Sequence, residues 1–246
     1  MNEHVLLYTP GIDTLLVEDY LTRKGITPEK VYYDIKSKYS NQELEMLDSR
    51  NNVIIDSSFN FADIEDEWAY IPNRNLHFAL HASATYGNTV WVGGTQSDRV
   101  SDNNKEIFSD LGVVINKSLP GQKDIRSPFW DRWKSEIVAE WIALKGDPVT
   151  LLTDTFSCYF PKSTSTEHHG LYINANVNNS LSFETYECLQ CRACFRKSVI
   201  LFVAGISRKH SNDQLMTCKN EFMKNESIHG TPRYLATLNY INYNTQ

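Results

Sequence analysis

The amino-acid sequence predicts an α/β protein, a parallel sheet covered by helices on both faces, followed by a C-terminal helical region built around a cluster of cysteines. Two observations lead there. Through the first half, short β-rich runs alternate with amphipathic helical patterns, which is how a parallel sheet with crossover helices is written in sequence. In the second half, four of the five cysteines lie at Cys158 and in the run ECLQCRACFRKS, a spacing that suits a metal better than a disulfide where thiols stay reduced.

Residues 5–8 (VLLY), 31–34 (VYYD), 53–56 (VIID) and 89–93 (TVWVG) read as buried strands, being short, apolar and rich in β-branched or aromatic residues. A helix is expected over residues 14–23, stopped by Gly25. Ser40 with Glu43 three residues later is the pattern of a capping box, so the next helix is expected to begin there. Residues 75–85, 103–111 and 134–144 (KSEIVAEWIAL, closed by Gly146) complete the helical patterns. Residues 163–182, rich in Ser, Thr, Asn and His, are expected as a loop or irregular excursion. Beyond Gly205 one or two small helices are expected, with residues 213–225 carrying the best pattern.

A chain of 246 residues can bury a sizeable core. Its net charge of −6 argues against a protein that lives on a phosphate backbone, so no direct nucleic-acid partner is expected. A small anionic substrate needs only a few well-placed Lys or Arg and is not opposed by that total. No stretch approaches the roughly 20 apolar residues of a membrane span, and the opening MNEHVLLYTP lacks the basic start of a signal peptide. A cytoplasmic protein with no membrane partner is expected.

Directly after VLLY come Thr9, Pro10, Gly11, Ile12, Asp13 and Thr14, leading into a helix. A strand, a tight turn and a helix N-terminus together form an anion site, because orphan backbone N–H groups and the positive end of the helix dipole point at the turn. The hydroxyls of Thr9 and Thr14 can add donors. The alternative is that Asp13 or Thr14 merely caps the helix. The phosphate loop with the pattern G-x-x-x-x-G-K-[ST] is absent.

Cys188, Cys191 and Cys194 form two overlapping C-x-x-C steps, and Cys158 can supply a fourth sulfur. Four thiolates satisfy tetrahedral Zn²⁺ and leave no open position, the mark of a structural site. A redox pair would use two thiols and leave two unexplained, and an iron–sulfur cluster is the other alternative. Cys218 is left over as a buried or idle thiol.

Taken in order, these features resemble the 7-cyano-7-deazaguanine synthases, members of the N-type ATP pyrophosphatases or PP-loop enzymes, over roughly residues 5–205. Four stretches carry the resemblance. Where the family opens with S-G-G-x-D-S, this chain has TPGIDT. Where it has P-G-R-N before a helix, this chain has IPNRNLHF, with Pro72, Arg74 and Asn75 in place. A later pattern, P-L-x-x-x-x-K-x-E-I-V, is matched in SPFWDRWKSEIV by Pro128, Lys134 and Glu136. The family's S-C-Y followed by C-x-x-C-x-x-C and Arg appears as Ser157, Cys158 and Tyr159, then the cysteine run with Arg196.

The resemblance implies a Rossmann-like fold of the adenine nucleotide alpha hydrolase type. It further implies a nucleotide-binding domain over residues 1–150 and a zinc-binding helical region over 151–246, or one compact domain. The activity implied is adenylation of 7-carboxy-7-deazaguanine by ATP and displacement of AMP by ammonia, giving the amide and then the nitrile. Thr9, Gly11, Ile12, Asp13 and Thr14 would cradle pyrophosphate with Mg²⁺. Lys134 would counter phosphate charge, Arg74 would face a phosphate or the substrate carboxylate, and the four cysteines would hold structural Zn²⁺. A homodimer is a further expectation.

Two departures stand out. Pro10 replaces a loop glycine and removes an N–H donor, and threonines replace both loop serines. The family's P-D-C-R segment is replaced here by GGTQSDRVSDNNKEIF, with Asp102, Asn103 and Asn104 at the aligned place. Two further readings therefore stay open: a ligase that joins a deazaguanine acid to a protein or nucleic-acid amine, and a catalytically inactive nucleotide-binding relative.

Overall fold

The computed structural model describes every residue except 1, 49, 51, 68, 98–102, 175–176, 209–215, 218–219, 221–229 and 246. The chain divides into two compact units, Met1–Arg132 and Trp133–Gln246. The expected helix over 213–225 falls almost wholly outside the described residues, as do Cys218 and Asp102.

The first unit is a Rossmann-like, five-stranded parallel sheet with helices around it. Its elements run β1 (Asn2–Leu7), α1 (Ile12–Arg23), β2 (Glu29–Tyr33), α2 (Ser40–Asp48), β3 (Val53–Asp56), α3 (Arg74–Thr85), β4 (Gly87–Trp91), α4 (Lys105–Ser118) and β5 (Asp124–Arg126). The strand order is β3-β2-β1-β4-β5. The order therefore reverses between β1 and β4, which pair in parallel from Asn2 with Gly87 to Leu6 with Trp91. The loops leaving these two strands flank the switch point, where sheets of this kind bind ligands. Val5, Val31, Val90 and Ile115, all fully buried, anchor the core on which Phe108 and Ala79 also pack.

Several elements depart from expectation. The edge strand β5 has Ile125 as its buried residue between Asp124 and Arg126, too short and polar a signal to read as a strand. Helix α4 runs on through Gly112 to Ser118, because Asn104 caps its start by accepting from the Ile107 amide at 3.0 Å and Phe108 and Ile115 bury one face. The capping box at Ser40 does not form. Ser40 accepts the Ser37 amide at 2.9 Å, and the Glu43 carboxylate accepts the Tyr32 hydroxyl at 2.8 Å.

The second unit contains α5 (Lys134–Ala143), α6 (Pro148–Thr153), β6 (Thr166–Asn174), β7 (Val177–Thr185), α7 (Arg192–Val203), β8 (Ile206–Arg208) and α8 (Pro232–Asn244). Helix α7 packs against α5, α6 and α8. Phe195 and Val199 of α7 meet Tyr240 and Ile241 of α8 in a small core. Helix α5 ends with Lys145 in the left-handed region at φ 70°, and Gly146 lies so close beneath the Trp141 ring that a Cβ would stand 2.3 Å from it.

The stretch expected as an irregular loop is instead an antiparallel hairpin, β6 with β7, extended by β8 in the order β7-β6-β8. The physical reason is a two-residue period that polar composition hides. On β7, Ser180, Ser182 and Glu184 are exposed, while Leu181, Phe183 and Thr185 turn inward. Among the described residues, no helix is long and apolar enough to cross a membrane.

Candidate nucleotide loop and metal centre

Helix α1 begins at Ile12, with Gly11 as its N-cap in an extended conformation and no side chain capping it. Neither Asp13 nor Thr14 takes the capping role that the sequence left open. First-turn amides of a helix have no intrahelical partner, so here they project into the loop Thr9–Pro10–Gly11. The Thr9 and Thr14 hydroxyls lie 3.2 Å apart across that loop, Thr9 exposed and Thr14 buried. Pro10 is buried beneath the turn. From the other side of the switch point, Gly93 approaches so closely that a Cβ there would stand 2.9 Å from the Asp13 Cβ. The loop after β4 can therefore lie against the start of α1 only without a side chain at this position.

Arg74 opens α3 and donates from Nη1 to the Tyr39 hydroxyl at 2.6 Å. It belongs to a polar cluster with Tyr32 and Glu43. Desolvation pushes the Glu43 carboxyl up to about 7, against the opposing pull of the Tyr32 hydrogen bond and the Arg74 charge. Lys134 is the first residue of α5, in the second unit. Beside it the Glu136 carboxylate reaches back to accept the Trp133 amide at 3.1 Å.

A network at the ends of β2 and β3 is not legible in the sequence. Asp56 closes β3 in register with Tyr33, which closes β2. The Tyr86 hydroxyl donates to Asp56 at 2.7 Å, and the Tyr33 hydroxyl bonds the His81 ring at 2.9 Å. Burial alone would raise the Asp56 carboxyl, but hydrogen bonds from Ser58 and Tyr86 outweigh it and hold the group below its ordinary value.

In the second unit the four expected cysteines converge. The Sγ atoms of Cys158, Cys188, Cys191 and Cys194 all lie within 4.8 Å of one another. Two pairs are separated by 4.0 Å (Cys158 to Cys191) and 3.9 Å (Cys188 to Cys194). A tetrahedral Zn²⁺ with bonds of about 2.3 Å sets its sulfurs about 3.8 Å apart, so these spacings fit such an ion, and they are far too long for disulfides.

Backbone amides are already aimed at the sulfurs. Phe160 and Cys188 donate to Cys158 at 3.3 and 3.2 Å, Gln190 and Cys191 to Cys188 at 3.4 and 3.3 Å, and Cys194 to Cys191 at 3.5 Å. Cys191 is the N-cap of α7, so the positive end of that helix also faces the thiolates. Thiolate is the form that a metal takes, and the cluster can hold a metal ion such as zinc.

Behind the sulfurs lies a buried charge cluster that sequence reasoning missed. Glu187, Lys197 and Arg208 have side chains no more than 1% exposed, with Glu187 bonded to both cations. One signal did exist: Lys197 falls on the face of α7 shared with buried Cys194 and Leu201, and a charge there requires a partner.

The protein-family profile described as Queuosine biosynthesis protein QueC matches residues 42–201 of the chain. That span contains Arg74, Lys134 and all four cysteines of the cluster, and it begins after the TPGIDT loop. Compared with curated proteins, the chain matches none. With more than half of its length covered by this one profile, and with the cysteines of that span gathered into a single centre, the chain belongs to the QueC family of queuosine biosynthesis proteins.

Proposed function

We propose that the protein is an ATP-dependent carbon–nitrogen ligase that converts 7-carboxy-7-deazaguanine to 7-cyano-7-deazaguanine or to the amide that precedes it. A carboxylate oxygen is a poor leaving group. Attack of that oxygen on the α-phosphorus of ATP releases pyrophosphate and leaves an acyl adenylate. Ammonia then adds at the carbonyl carbon, AMP departs with the former carboxylate oxygen, and a proton goes to solvent. A second adenylation, on the amide oxygen, releases another pyrophosphate; that oxygen then leaves as AMP, the two N–H protons go to solvent, and the nitrile results.

The observation that carries this reading, besides family membership, is the uncapped start of α1 at the β1/β4 switch point. The amides of Ile12, Asp13 and Thr14 and the hydroxyls of Thr9 and Thr14 would bind pyrophosphate as negative charge builds on it. Mg²⁺ would share that charge. Asp13 would position the metal-bound phosphates, Lys134 would neutralise phosphate, and Arg74 would hold the substrate carboxylate or a phosphate. Zn²⁺ on the four thiolates would supply a cross-link and no open coordination position. A reducing compartment, the cytoplasm, keeps those thiols available.

The test is incubation with ATP, Mg²⁺, ammonium and 7-carboxy-7-deazaguanine, following AMP and base by mass spectrometry. AMP together with the amide or nitrile mass is expected. Substrate-dependent AMP without a small-molecule product would favour transfer to a macromolecular amine. Pro10, which removes one donor from the loop, favours a third reading: nucleotide binding with no AMP formed under any condition.

A further inference from the structure

We propose that Glu187 is the positioning residue of the metal centre, a buried carboxylate that holds the thiolate-bearing segments in place before the ion arrives. The inference rests on the reading of the cluster as a zinc site. Its ground is the set of groups that one carboxylate joins. Oε1 accepts the Ser157 amide at 2.9 Å, and Ser157 immediately precedes Cys158. Glu187 itself immediately precedes Cys188. Oε2 accepts from Arg208 Nη1, and the same guanidinium donates from Nη2 to the Cys194 carbonyl at 3.0 Å and from Nε to the Ser198 hydroxyl at 3.0 Å. Lys197 Nζ completes the arrangement, bonding Oε1 at 3.0 Å and the carbonyls of Thr155 and Leu152. The backbones carrying Cys158, Cys188 and Cys194 are thus fixed by one network. The fourth, Cys191, is held by its own cap to the Cys194 amide.

Charge supports the same assignment. Four thiolates around a divalent ion carry two net negative charges, and two cations against one carboxylate leave one net positive charge beside them. Three ionised groups are costly to bury unless each is paired and hydrogen-bonded, and the bonds just described meet that condition for Glu187, Lys197 and Arg208. A shell that orients the ligands is worth about 10–100-fold in metal affinity in characterised sites.

The experiment uses the full chain, stripped of metal and titrated with Zn²⁺ against a chromophoric chelator at neutral pH. Glu187→Gln is expected to weaken Zn²⁺ binding by about 10–100-fold. Because that variant strands two cations, the double variant Glu187→Gln/Lys197→Met is measured beside it. It keeps the network's net charge at the wild-type value, and the same weakening is expected. Ile241→Ala, a cavity in the small core that α8 forms with Phe195 and Val199 of α7, lowers the melting temperature and serves as the stability control, with Zn²⁺ affinity unchanged. Wild-type affinity in both Glu187 variants, or equal weakening in Ile241→Ala, overturns the positioning role while leaving the zinc reading intact. No Zn²⁺ uptake by the wild-type chain overturns both.

Discussion

Helices α1 and α7 both present an N-terminus to a group of polar side chains, and they complete it in opposite ways. At α1 no side chain caps the first turn, and two threonine hydroxyls face each other across the loop, one of them exposed. At α7 the Cys191 sulfur accepts the Cys194 amide, further amides are aimed at neighbouring sulfurs, and a buried ion cluster backs the whole arrangement. The same electrostatics serve both, since a helix start favours negative charge. An open start suits an anion that must arrive and leave. A closed one suits a ligand that stays and holds the fold. Under the proposed function, the first of these would serve exchange and the second permanence.

The strongest way to break this contrast is to open the closed end. Replacing Cys188 and Cys191 by Ser is expected to reduce bound zinc from one ion per chain to none and to abolish cooperative melting of the second unit, because metal binding supplies folding free energy there. Elemental analysis and calorimetry check both outcomes, and a metal-free protein that melts as the wild type does would refute the structural role.

A smaller effect separates the partners of the buried cluster. Lys197→Met leaves Glu187 and Arg208 as a neutral pair and should cost no more than about 1–2 kcal/mol. Glu187→Gln leaves two unneutralised buried cations and should cost about 3–5 kcal/mol. Denaturant titration of the two variants decides the order.

In the first unit, Glu43 gives a pH signature. Its carboxyl is raised from an ordinary 4.5 to about 7 in the folded protein. The folded state therefore binds the proton more tightly, and the stability this contributes is complete below 4.5 and lost as pH rises through about 7. Glu43→Gln should remove that slope and leave the variant about 1–2 kcal/mol more stable than the wild type above a pH of about 7. Melts across the pH range measure it, and a slope that persists in the variant assigns the proton elsewhere.

The smallest expected change sharpens the open end. Pro10→Gly restores a backbone donor, and one added hydrogen bond to a charged phosphate is worth about 1.5–3 kcal/mol at most. Pyrophosphate affinity with Mg²⁺, read by calorimetry, should rise by about tenfold. No change would mean that the position-10 amide plays no part in holding phosphate.

Much of the fold is legible in the order of residues. The first four strands announce themselves through apolar runs such as VLLY and VIID: the inner strands are buried on both faces and have no polar alternation to obscure them, and the edge strand β3 keeps its apolar run although Ile55 is exposed. The cysteine spacing indicates its cluster because metal geometry is local and stoichiometric. The hairpin β6–β7 stays hidden because its outward face is Ser, Asn and Glu, and composition outweighs period. Strand β5 stays hidden because an edge strand needs only one buried side chain, Ile125.

The sequence by itself determined the fold class, the family and the identity of the four sulfur donors, since each is encoded in residues near one another along the chain. Only the tertiary structure decided that Gly93 must be bare to lie against Asp13, and that Glu187 ties Ser157 to Arg208. Those are relations between segments distant in sequence. A buried charge acquires its meaning from what the folded chain brings within about 3 Å of it, which no local pattern records.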